Sequence, residues 1–152
     1  MAIAQQLRGR TVAIAIALLT IACGPNRSEE CRELGNATVA VRESIDAAHQ
    51  AQIGKPAYDP DYERRLAAAW TAGVETVQAV EIRRDRLQAL QQDLATAYGY
   101  AGTVLQQAAE LIPANGVMTH DLEVTHRAYH NQAEAEVSAA IAALNRYCLG
   151  GS

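Results

Sequence analysis

Glu81-Ile82-Arg83-Arg84-Asp85-Arg86 is the stretch on which the fold turns. It lies inside a run from Asp61 to Ile112 that holds no proline, and the glycines at 73, 99 and 102 fall within a helical pattern. If the chain reverses at 81–86, residues 28–149 form an all-α, antiparallel up-down-up-down four-helix bundle. If it continues, residues 60–112 are one helix of roughly 80 Å at ~1.5 Å per residue, flanked by helices 28–53 and 119–148. Burial favours the reversal. Two hairpins sharing one central helix would cover too little apolar surface for a monomer, whereas a bundle encloses one core. The stretch is also the only part of the run thin in core residues. Asp85 then caps a third helix, with Gln88 completing an approximate capping box.

The flanking segments carry their own boundaries. Ser28 is a plausible N-cap for the first helix, with Glu29 and Glu30 in the first turn where the helix dipole favours anions. Cys31, Leu34, Thr38, Val41, Ile45 and Ala48 then recur at spacings of three and four, a single helical seam. Gly54 and Pro56 are its stop signals. Asp59-Pro60 opens the second helix as cap and first helical residue. Its apolar face runs through Leu66, Trp70, Val74 (or Gly73), Val77 and Val80. Leu87, Leu90, Leu94, Ala97, Tyr98, Ala101, Val104, Leu105 and Ala108 make the widest apolar face, so the third helix is expected to be the most buried. Gly99 and Gly102 in that helix suggest close approach of a neighbour. Pro113 and Asn115-Gly116 end it. Thr119 caps the last helix, whose face runs from Leu122 through Ala133, Val137 and Ile141 to Leu144, and Gly150 closes it.

Composition agrees. Alanine is abundant, phenylalanine is absent, and nothing repeats at a fixed period. The net charge of −4 and the lack of a basic patch argue against nucleic acid as a partner. Arg83, Arg84 and Arg86 are the densest basic cluster, and Asp85 interrupts it.

The N-terminus gives an address. Arg8 and Arg10 precede an uncharged run from Thr11 to Ala22, shorter than the ~20 residues a bilayer core needs. That is the pattern of an export signal, here residues 1–22. Leu19-Thr20-Ile21-Ala22-Cys23 resembles the lipobox of bacterial lipoproteins, with Thr20 where leucine is commoner. The resemblance implies cleavage before Cys23, diacylglycerol on its sulfur and acylation of the new N-terminus, with residues 23–27 as a lipidated tether. More than one acyl chain makes a stable membrane anchor. Gly24 in place of aspartate suggests the outer membrane. Without Arg8 and Arg10 the net charge moves from −4 to −6.

If Cys23 carries lipid, Cys31 and Cys148 remain, and in an exported protein such a pair reads as a disulfide. It would join the start of the first helix to the end of the last. The helices then run level where residue numbers sum to about 179, so Thr38 should meet Ile141 and Val41 should meet Ser138 or Val137.

The same register brings His49 level with His130, each about five helical turns from its cysteine. His126 and His130 stand at i, i+4. Imidazoles on facing helices are one way in which bundles hold transition metals or haem, so His49, His126 and His130 are the candidate ligands. No CxxCH haem attachment, HExxH, GxSxG, phosphate-binding or dinucleotide motif is present. The expectation is a membrane-anchored, non-enzymatic lipoprotein of the cell envelope, facing the periplasm or exterior, with a structural or envelope-protein-binding role. The alternative is a periplasmic metal- or haem-binding bundle.

Overall fold

The computed structural model describes residues 26–150. The signal segment 1–22, the expected lipid attachment at Cys23, most of the tether and the last two residues lie outside that range. Four helices follow one another: α1 (Arg27–Gln50), α2 (Pro60–Gln78), α3 (Asp85–Leu111) and α4 (His120–Leu149). Each packs chiefly on the next, in an antiparallel four-helix bundle, and the chain does reverse between α2 and α3. Among the described residues no helix is long and apolar enough to cross a membrane.

The reversal is held by side chains from other helices. Glu30, fully buried on α1, accepts a hydrogen bond from the backbone N–H of Arg83 at 3.1 Å and pairs with the Arg84 guanidinium at 3.5 Å. Gln91 on α3 donates to the carbonyls of Val77 and Val80 at 2.7 and 2.8 Å, taking up acceptors that the end of α2 leaves open. Gln88 donates to the carbonyl of Ile82 at 2.7 Å. Ile82 itself is buried and plugs the end of the core.

Two expected caps are displaced. Asn26, not Ser28, caps α1, its side chain accepting from the Glu29 N–H at 2.9 Å; Ser28 lies one residue inside the helix. Asp85 is the first residue of α3 and not its cap, because Arg84 occupies that position without a side-chain bond. Gln88 therefore has no box to complete and turns to Ile82. Asp59 and Thr119 cap α2 and α4, accepting from Asp61 and Leu122.

The core is built on α3, which buries Leu87, Leu90, Leu94, Tyr98, Ala101 and Leu105 among others. Gly102 is the close approach to α2: a Cβ there would lie 2.5 Å from the Thr71 hydroxyl and 3.1 Å from the Ala67 carbonyl oxygen. Gly99 is not, since a Cβ would meet only Val74, at 3.8 Å.

At one end α1 and α4 are clasped. Cys31 and Cys148 form a disulfide with Cα atoms 5.7 Å apart. The Arg27 guanidinium stacks on the Tyr147 ring, 4.7 Å from its centroid, and donates to the carbonyls of Tyr147 and Gly150. Elsewhere this pair packs least of all the adjacent pairs. A groove of about 670 Å³ opens between them, floored by Leu66, Trp70 and Tyr98. Thr38 and Ile141, expected to meet across that interface, line the groove. The narrow apolar face of α4 accounts for this: only Ala133, Val137 and Leu144 are buried on it, and it settles against α3.

Candidate metal centre

Glu63 stands in the first turn of α2, on the face that continues through Leu66 and Trp70. It is 2% exposed, the second of two buried carboxylates among the described residues. The seam of α2 therefore carries a charge into the interior, and the charge needs partners there. They come from α4, a helix on which α2 hardly packs. His126 Nε2 lies 3.0 Å from Glu63 Oε1 and His130 Nε2 lies 3.0 Å from Glu63 Oε2. One carboxylate thus spans the bundle and engages two imidazoles a helical turn apart.

The i, i+4 spacing makes this possible. It stacks the two rings on one face of α4, their centroids 4.8 Å apart. Tyr58, just before α2, sets its ring edge against His126 at 5.6 Å and 89°, which fixes the imidazole from the outer side. Exposure falls off in one direction across the cluster. The side chains of Glu63, His126 and His130 are 2%, 11% and 34% exposed, and His130 also lines the α1–α4 groove.

His49 is not part of the cluster. It is exposed on α1, and its Nδ1 lies 2.7 Å from the Tyr62 hydroxyl. Burial, and then the negative charge of Glu63, hold the Tyr62 phenol above its ordinary pKa. The disulfide register does carry His49 to the groove wall. The divergence of α1 from α4 stops it from reaching the other two histidines. The donor that joins them is Glu63, which the periodicity of α2 marks by placing it three residues before Leu66 in the apolar seam.

Two chemical roles are open to this arrangement. With both Nε2 atoms protonated, the imidazoles donate to the carboxylate and satisfy its buried oxygens. With the protons on Nδ1, the same three groups present two nitrogen lone pairs and a carboxylate oxygen to one point. The donor atoms all lie within 4.8 Å of one another. Two imidazoles and a carboxylate suit late first-row divalent ions; magnesium and calcium prefer oxygen alone.

No family model matches the chain, and no match was found among curated proteins or solved structures.

Proposed function

We propose that this chain is a lipid-anchored protein of the bacterial cell envelope whose helical body is a binding module and not an enzyme. The observation that supports this reading is the bridge between Cys31 and Cys148. Disulfides persist in oxidising compartments, and an export signal ending in a lipobox would deliver the chain to one. The bridge lies at the end of the bundle where the N-terminal tether joins it, since α1 begins at Arg27, four residues after Cys23. The body would therefore stand directly on the membrane surface, with the Glu63 cluster at the far end of α1, about 30 Å away at ~1.5 Å per residue.

Fractionation tests the anchor. The full chain is expected in the membrane fraction, carrying a lipid-sized mass increment at Cys23, and Cys23→Ser should abolish both. Recovery of the native polypeptide from the soluble cytosol with residues 1–22 attached would overturn the reading.

A further inference from the structure

We propose that Glu63, His126 and His130 form a mononuclear site for a late first-row divalent cation of the zinc type, with an open coordination position on the side of the α1–α4 groove. The claim stands on the cluster's own geometry and is independent of how the chain is anchored.

The spacing is within reach of a loaded site. Ligands bonded at ~2.0–2.2 Å to a tetrahedral ion lie about 3.3–3.6 Å from one another. Here the two 3.0 Å contacts run to different oxygens of the carboxylate, and one oxygen with both Nε2 atoms makes a set of donors within 4.8 Å of one another. A cation can enter if side-chain rotation brings those three donors to that separation and each imidazole moves its proton to Nδ1.

The surroundings distinguish this cluster from a surface group of acids and histidines. Glu63 is buried, and the only hydrogen-bond partners of its carboxylate among the described residues are the two histidines. A divalent ion would neutralise that carboxylate where desolvation makes an unpaired charge costly. Three protein donors leave a fourth position of a tetrahedral ion free. Glu63 and His126 close the inner side, so the free position falls next to His130, the one donor that borders the groove. An outside ligand, water or a small anion, would complete the shell from there.

The alternative is a purely structural clamp, in which the two imidazoles only hydrogen-bond the carboxylate. The two differ in a direct titration. The full chain, purified in detergent and stripped with chelator, is titrated with Co²⁺ and followed by visible absorption, then challenged with Zn²⁺. The expected result is one Co²⁺ per chain, with the strong d–d band of four- or five-coordination, displaced by one equivalent of Zn²⁺. Azide should shift that band by entering the open position. His126→Gln and His130→Gln keep an N–H donor for Glu63 and should still weaken binding by well over a hundredfold, beyond the ~10–100-fold that loss of an outer-shell partner costs. His49→Ala should leave it unchanged. The proposal is overturned if the unaltered chain takes up less than one equivalent, or if the Gln variants, shown folded by circular dichroism, bind as tightly as the parent. A band indifferent to azide would overturn the open position.

Discussion

Glu30 Oε1 on α1 lies 3.1 Å from the backbone nitrogen of Arg83, fifty-three residues further on. This one contact joins the first turn of the bundle to the reversal between α2 and α3. Arg84 at 3.5 Å balances the charge of a carboxylate with no solvent exposure.

Removing that carboxylate should loosen the reversal. Glu30→Ala is expected to lower the free energy of unfolding by about 1.5–3 kcal/mol, the range for a hydrogen bond to a charged group. Glu30→Gln should lose less, because its amide oxygen can still accept from Arg83. Urea denaturation followed by the fluorescence of Trp70 measures both. Equal losses would show that charge matters here and the acceptor does not.

The two neighbouring glycines of α3 should respond in opposite directions. At Gly99 a methyl group meets only Val74 at 3.8 Å, so Gly99→Ala should stabilise by up to about 1 kcal/mol through helix propensity. At Gly102 it would meet the Thr71 hydroxyl at 2.5 Å and the Ala67 carbonyl at 3.1 Å. Gly102→Ala should therefore force α2 and α3 apart and destabilise by about 1–3 kcal/mol. Thermal melts of the two variants test this, and a change of the same sign in both would refute it.

Tyr98 makes stability depend on alkaline pH. Burial pushes its phenol up to about 12 from an ordinary value of 10.0. Below pH 10 both folded and unfolded chains hold the proton, and the burial is fully tolerated. Between about pH 10 and 12 only the unfolded chain loses it, so stability falls with rising pH across that window. The loss should be of order 1–2 kcal/mol, and Tyr98→Phe should remove it. Denaturation at pH 9 and pH 11 compares the two proteins, and identical slopes would exclude Tyr98 as the source.

The disulfide closes 117 residues of sequence. In the chain-entropy account its loss should lower stability by about 4–5 kcal/mol. The effect should appear first in α1, which packs well only on α2 once the clasp is gone. Hydrogen exchange under reducing conditions should show α1 amides exchanging ahead of those of α3; uniform acceleration would count against it.

Local pattern made much of this architecture legible. The seams of α1 and α3, the Asp59-Pro60 start and the Thr119 cap follow from spacing and caps, whereas the four-helix class rests on burial, which favours a reversal at 81–86. What holds that reversal is not in the local pattern, because its hydrogen bonds come from Glu30, Gln88 and Gln91, and local propensity contains no term for them. The candidate centre was legible in half. His126 and His130 announce themselves by spacing, whereas their third member sits on a helix remote in sequence. A signal for it existed: Glu30 and Glu63 each occupy a seam position on an otherwise apolar face. A charge in a seam asks for a partner across the core, and both have one. His49 misled because register fixes height along a bundle and says nothing about how far two helices diverge.

The bond between Cys31 and Cys148 encloses both long connections, 51–59 and 112–119, within one covalent ring. A protease that cuts either exposed link makes two fragments that cannot part company. On a gel run without reductant the nicked molecule should migrate as a single species and split only when thiol is added. Any attachment of the N-terminus would retain both pieces, so damage at the far tip need not cast the body adrift.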